Sequence, residues 1–425
     1  MTGQTRVAIR SILGPMEATV EVPGSKSVTN RALVCATLAT GPSQILNFAP
    51  GDDTAAMLAG LNAMGARCII DGDDVEIQQP VDRISIDEVV VDANLAGTTA
   101  RFLTAVGAVR AGTTTITGNS ALRHRPMAGL FDALSALGAQ ITTLETHGHL
   151  PVRIRAGDQR VQQLSMSGDV SSQFISALLL IAPLLTNGLQ ISITGSIISE
   201  PYLAMTCSVM KDFGARIDHC SSEVIAVGTQ GYTGRSFVVE PDASSASYPL
   251  AAAAIVGGSV KVPGFGINSV QGDVGFIKIL EKMGCTVQQG TAGLTVSRNL
   301  DAPLLGIEAN MSSMSDLVPT LAVVAMFAST PTHINGVAFI REKESDRLGD
   351  LATELRAVGG TVEVTPDGLI INPSQVHGGV VETHHDHRIA MALSLVGLVC
   401  HDVIINDAHV VSKSWPGYWA MLDSL

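Results

Sequence analysis

Lysines and arginines number only 26 among the 425 residues, and many of them fall beside short runs of serine, threonine and glycine. That combination is anion-binding chemistry when it opens a helix, because a helix N-terminus presents unpaired N–H donors and a positive dipole end. In VPGSKSVTNR, Pro23 and Gly24 read as a turn, Ser25 and Ser27 offer hydroxyls, and Lys26 and Arg31 supply charge. The G-x-x-x-x-G-K-[ST] spacing of a P-loop is absent. An ordinary helix cap with a solvated lysine accounts equally for this stretch taken alone; the recurrence of similar heads favours the anion reading. NLAGTTAR puts Gly97 where the backbone can approach a ligand closely, Thr98 at a capping position and Arg101 one turn further in. Ser171, Ser172 and Gln173 exceed what one cap requires and suit a polyhydroxylated or phosphorylated ligand. Arg123 and Arg125 flank His124 ahead of Pro126, a pairing suited to a carboxylate or phosphate.

The densest chemistry is C-terminal. IREKESDRLGDL carries Lys343, Glu344, Asp346 and Arg347, SDLVPTL carries Asp316 at the mouth of an apolar run, HHDHR carries Asp386 and Arg388, and VVSKSWPGY carries Lys413. The charge run also fits a surface helix with i,i+4 ion pairs, which is the usual meaning of such a run. His384, His385 and His387 lack the spacing of helix-face ligands, and an adjacent Arg388 would be repelled by a metal, so no metal is expected.

The elements that must position these residues repeat. Six nearly all-apolar helix patterns begin at Ser25, Ala96, Ser171, Ser244, Ser315 and Asp386, about 70 residues apart, each with a polar head. The fourth head, at Ser244 and Ser245, has no cation and reads as mainly structural. An amphipathic helix ending in glycine and followed by a short strand keeps the same beat, at Gly65, Gly138, Gly214, Gly284 and Gly359. A truncated sixth copy follows Pro416. The period exceeds the usual solenoid range of about 20–50 residues, which points to compact α/β units, six of them dividing into two domains of three.

A net charge of −13 argues against a nucleic-acid surface but not against a small anion held by a local cluster of cations. The longest apolar stretch is interrupted by Pro183 and is too short for a membrane span, and no basic, apolar leader pattern opens the chain, so a cytoplasmic protein is expected. The six cysteines show no C-x-x-C spacing and read as inert thiols in a reducing compartment.

PGSKSVTNRA, AGTTARF, RHRPM, DVSSQF, SEPY, EPDASSASY, SDLVPT, KESDRL, DHRIAM and SKSWP occur in this order across essentially the whole chain. Together they resemble the 5-enolpyruvylshikimate-3-phosphate synthases, a family of enolpyruvyl transferases. The resemblance implies transfer of the enolpyruvyl group of phosphoenolpyruvate to the 5-hydroxyl of shikimate 3-phosphate, on the way to chorismate and the aromatic amino acids. It also implies two similar domains, each of three βαβαββ units in an inside-out α/β barrel, with an active site in the interdomain cleft. Residues 21–240 would form the shikimate 3-phosphate-binding side, and residues 1–20 plus 241–425 the side with the catalytic carboxylates.

Position by position, the resemblance puts Lys26, Ser27, Arg31, Ser171, Ser172, Gln173, Ser199, Tyr202, Asp316 and Lys343 on shikimate 3-phosphate. It puts Lys26, Gly97, Arg125, Arg347, Arg388 and Lys413 on phosphoenolpyruvate. Glu344 is the implied proton donor to the methylene carbon and Asp316 the acceptor of the 5-hydroxyl proton, with Lys26 and Lys413 stabilising charge. No cofactor, metal, nucleic acid or membrane is implied, and a monomer is expected.

Leu95 and Phe339 depart from the family pattern, each standing where many members have asparagine. Gly97 is retained, which implies inhibition by glyphosate, although Leu95 and Phe102 could alter the pocket. The related transferase acting on UDP-N-acetylglucosamine usually has a cysteine in the loop before Arg125, and this chain has none between Cys68 and Cys207. A noncatalytic binding protein for phosphorylated metabolites would explain the anion-binding heads but not Glu344 and Asp316.

Overall fold

The computed structural model describes residues 6–169, 171–195, 197–266 and 268–425. They form two compact units, one of residues 24–239 and one of residues 1–23 with 240–425, of which residues 1–5 lie outside the described residues.

Residues 88–155 show how one repeat is built. Glu88–Asp92 lies parallel to Thr113–Thr117, and the helix Gly97–Gly107 makes the crossover that parallel neighbours require. Thr113–Thr117 pairs antiparallel with Val152–Arg155, which pairs antiparallel with Gln140–Thr143. The same order, a parallel pair followed by an antiparallel pair, recurs around Leu189–Thr194 and around Thr332–Asn335.

Two sheets borrow a strand from a distant part of the chain. Ser236–Val238 adds in parallel to Ser43–Leu46, and Met16–Thr19 adds in parallel to Gly258–Val262. A sixth, three-stranded sheet joins Val7–Ala8, Val403–Ile405 and Gly379–Val381.

The apolar helix patterns are buried helices: Lys26–Leu38, Gly97–Gly107 and Ser172–Ile181 in one unit, Ala243–Val256, Val318–Met326 and His387–Ser394 in the other. Side chains apolar on every face leave no surface for water, so these helices pack on one another while each sheet keeps an outward face. Pro183 ends the third at Ile181 and turns the chain into a short 3-10 segment, because proline lacks the N–H that the next helical bond needs. In the first helix only Lys26 and Ser27 escape burial, in the second only Thr98 and Arg101, in the third only Gln173, and in the fourth only Ser244. The exceptions are the polar heads.

The five glycines that end the amphipathic helices all adopt positive φ, from +88° to +119°, the left-handed turn expected at those positions. No helix among the described residues is long and apolar enough to cross a membrane.

Candidate active site

In the unit of residues 24–239, three heads converge. Lys26 Nζ donates to Asp53 Oδ2 at 3.0 Å, and the backbone carbonyl of Asp53 accepts from Thr99 Oγ1 at 3.1 Å, so the first and second helix starts are tied through one residue. Gly97 lies against two guanidinium groups: a Cβ there would sit 2.8 Å from Arg101 Nη1 and 3.1 Å from Arg125 Nη1. Arg101 Nη1 donates to Gln173 Oε1 at 2.6 Å and the guanidinium lies over the Phe174 ring, which joins the third head to the second. Ser171 caps its helix by accepting from the Gln173 N–H, and Ser172 is buried beside it.

Arg31 lies deeper than its place in the motif suggests, being 1% exposed. Its donors reach Thr206 Oγ1 at 2.7 Å, the Ser27 carbonyl at 2.8 Å, and Ser176 Oγ and the Tyr202 carbonyl at 3.4 Å. Phe102 and Tyr202 place their rings 5.3 and 5.7 Å from the guanidinium carbon. Each of these contacts of Arg31 is with a neutral group, and burial draws its pKa down to about 10 against the opposing influence of Tyr202 and Cys35. Ser199 precedes the Pro201–Asp212 helix in a left-handed conformation, φ +59°, with its carbonyl accepting from the Tyr202 N–H. Arg123 turns away from this group, donating to Glu145, the Gly118 carbonyl and Thr117.

The second cluster lies in the other unit. Asp316 Oδ1 accepts from Lys343 Nζ at 2.7 Å and Arg347 Nη1 at 2.9 Å, and Oδ2 accepts from Arg388 Nη2 at 2.8 Å. Arg347, 1% exposed, also donates to Glu344 Oε2 at 2.7 Å and to both oxygens of Asp386. Lys413 Nζ stands 3.3 Å from Glu344 Oε1. Three carboxylates and four cations thus interlock within a few ångströms.

Burial by itself would raise the Asp316 carboxyl, but Arg388, Lys343 and Arg347 hold it well below the usual carboxylate range. Lys343 is drawn below its ordinary value, burial prevailing over the attraction of Asp316. The Arg347 guanidinium is raised, the pull of Asp386, Glu344 and Asp316 outweighing burial.

The charge run containing Lys343 is therefore no paired surface helix. Ala338–Glu342 is a 3-10 turn and the next helix starts at Gly349, because Lys343, Glu344 and Arg347 turn inward while Arg341 pairs with Asp346. Phe339, already noted as a departure from the family pattern, places its ring 5.7 Å from Lys343 Nζ, a cation–π contact. Among the histidines, His384 pairs with Glu354 and His385 with Asp407, while His387 is buried beside Asp386.

Four participants had no substrate or catalytic role in the sequence reading: Asp53, Arg101, Asp386 and Asp273. Arg101 sits one turn below Gly97, a spacing that places both on one helix face. Asp386, noted in the sequence beside Arg388, caps the sixth helix and pins Arg347. Asp273, buried, accepts a hydrogen bond from Ser244 Oγ, so the fourth head holds a carboxyl. Burial, reinforced by the charge of Asp316, pushes that carboxyl up to about 6. Tyr248, on the same helix, lies close enough to Arg388 and Arg347 for their charges to oppose the burial that raises its phenol to about 12.

The family model of EPSP synthase (3-phosphoshikimate 1-carboxyvinyltransferase) matches residues 11–422. The 3-phosphoshikimate 1-carboxyvinyltransferases of Methanospirillum hungatei and Vibrio vulnificus are 38% and 40% identical over 424 and 418 residues, covering 96% of this chain and 96% of each relative. The structure of EPSP synthase from Acinetobacter baumannii matches with a TM-score of 0.82 at 27% identity, over 99% of this chain and 98% of that one. The enolpyruvyl transferase NikO from Streptomyces tendae shares the fold, with a TM-score of 0.78 at 19% identity over 100% and 98% of the two chains. Motifs, repeated α/β architecture and relatives agree, and the chain belongs to the EPSP synthase family.

Proposed function

We propose that the two clusters serve one reaction, the transfer of the enolpyruvyl group from phosphoenolpyruvate to the 5-hydroxyl of shikimate 3-phosphate with release of phosphate. The observation that carries this reading is the interlocked set of Asp316 and Glu344 with Lys343, Arg347, Arg388 and Lys413. An anion site alone needs cations; two carboxylates held among them provide for proton transfer as well.

In the addition step the methylene carbon of phosphoenolpyruvate gains a proton from Glu344. The 5-hydroxyl yields its proton to Asp316 as its oxygen bonds to the enol carbon. The product is a ketal phosphate, which then gives a methyl proton back to Glu344 as phosphate leaves with the proton held by Asp316, yielding the enolpyruvyl ether. Asp316, ionised under its three cations, is a weak base as it stands. Substrate phosphates and carboxylates that draw Arg347, Arg388 and Lys343 toward themselves raise its basicity when the hydroxyl arrives. Lys26 and Lys413 stabilise charge at the reacting carbon and the leaving phosphate.

Ser27, Arg31, Ser171, Ser172, Gln173, Ser199, Tyr202 and Lys343 are assigned to shikimate 3-phosphate. The neutral surroundings of Arg31 support a carboxylate contact, since a buried guanidinium among hydroxyls and carbonyls retains its attraction for an anion. Gly97, Arg125, Arg347, Arg388 and Lys413 are assigned to phosphoenolpyruvate, and the approach of Arg125 to Gly97 supports that grouping. Residues 24–239 thus carry most of the shikimate 3-phosphate contacts, and the other unit the carboxylates. A monomeric, cytoplasmic enzyme completes the proposal.

Incubation with phosphoenolpyruvate and shikimate 3-phosphate should release phosphate, and UDP-N-acetylglucosamine should not replace the second substrate. Release with the nucleotide sugar, or none with shikimate 3-phosphate, would overturn the assignment.

A further inference from the structure

Outside this site, one pair of reactive groups stands together. Cys207 is buried in the Pro201–Asp212 helix, Cys220 is exposed at the end of the strand Ile217–Cys220, and their Sγ atoms are 2.8 Å apart. That is closer than unbonded sulfurs normally approach, and a disulfide at about 2.0 Å requires a displacement of less than about 1 Å.

The placement follows from the repeat. Cys207 lies seven residues before Gly214 and Cys220 six after it, so the helix and the strand that leaves its cap bring them face to face. The equivalent pairs are Leu58 and Asp71, Phe131 and Leu144, Ile277 and Gly290, and Ala352 and Thr365. Packing of the unit accepts ordinary residues at both positions, so the dithiol is not a requirement of the fold.

The two sulfurs are chemically unequal. The hydrogen bond it shares with Cys207 draws the Cys220 thiol down to about 7, opposed by burial and aided by Lys211, while Cys207 is pushed up. Burial pushes Cys35 and Cys68 to about 12 and Cys285 to about 11, and raises Cys400. Since the thiolate is the nucleophile, Cys220 is the attacking group and Cys207 the resolving one.

We propose that Cys207 and Cys220 form a reversible redox site whose oxidant is a small hydroperoxide. The Cys220 thiolate attacks one peroxide oxygen, the O–O bond breaks, and the sulfur becomes a sulfenic acid as hydroxide leaves and takes up a proton to form water. Cys207 then attacks that sulfur, the S–O bond breaks, a second water leaves, and the S–S bond forms. In balance, two thiols and one hydrogen peroxide give one disulfide and two waters. The cross-link joins the strand to the helix that carries Tyr202 and Thr206, the partners of Arg31.

The test is mass spectrometry of the reduced full-length protein after limiting hydrogen peroxide. The expected product is lighter by two hydrogens, yields one peptide linking Cys207 to Cys220, and returns to its starting mass with dithiothreitol. Cys207→Ser should instead gain oxygen on Cys220, and Cys220→Ser should leave Cys207 unoxidised, with circular dichroism checking that each variant folds. Oxygen added to wild-type Cys220 without a link, or a link formed through any other cysteine, would overturn the proposal. Wild-type peptide mapping decides the matter even where a variant fails to fold.

Discussion

Asp386→Asn isolates one charge in the second cluster. Asp386 is 0% exposed and accepts from Arg347 Nε at 2.6 Å and Nη2 at 3.2 Å, from Ser345 Oγ at 3.0 Å and from the Arg388 N–H at 2.9 Å. Asparagine has the same shape and caps a helix about as well, so the cap survives while the negative charge goes. Two charge-assisted hydrogen bonds at about 1.5–3 kcal/mol each bracket the same loss as breaking a buried ion pair, about 3–5 kcal/mol. Denaturant unfolding should register a loss of that order, and Asp386→Ala should cost about 1 kcal/mol more through the cap. Arg347, no longer pinned, swings toward Asp316 and Glu344. In the proposed reading kcat/KM for phosphoenolpyruvate then falls by about ten- to a hundredfold, the equivalent of one charge-assisted bond. Stability within about 0.5 kcal/mol of wild type, together with unchanged kcat/KM, would refute the argument and leave Asp386 as a cap alone.

Glu344→Gln should cut turnover severely while shikimate 3-phosphate still binds, measured by phosphate release and calorimetric titration; wild-type turnover would remove Glu344 from the mechanism. Glyphosate should inhibit at low phosphoenolpyruvate. Gly97→Ala should weaken both that inhibition and phosphoenolpyruvate binding, because the added methyl meets Arg101 and Arg125 at 2.8 and 3.1 Å; equal inhibition constants in the two proteins would contradict this. Asp273 has a folded pKa of about 6 against an ordinary 3.8. The native state therefore binds the extra proton between those values, and stability falls as pH rises through that window. Asp273→Asn should remove this slope and gain up to about 3 kcal/mol near neutrality, read from urea midpoints at several pH values; parallel wild-type and variant profiles would count against it.

The sixfold beat, the buried helices and their left-handed glycine ends were legible in the sequence because each depends on local chemistry: apolar side chains on every face, and a residue without a Cβ where φ is positive. The heads were legible for the same reason. Their inequality was legible too, since the fourth lacks a cation, but their grouping was not. Asp316 meets Arg388 across 72 positions, and Arg31 meets Thr206 across 175, so only the packing of repeats against one another decides which polar groups share a cluster. That packing also draws Lys343, Glu344 and Arg347 out of the helix that their spacing suggested. It gives the fourth head a carboxyl from a segment about 30 residues away, and it puts Cys220 against Cys207. Capping and apolar periodicity act over a few residues, so where helices begin and what chemistry their starts carry can be read along the chain. Tertiary structure alone decided which charges face one another and which are withdrawn from water, since those energies depend on distance and burial rather than on order along the chain.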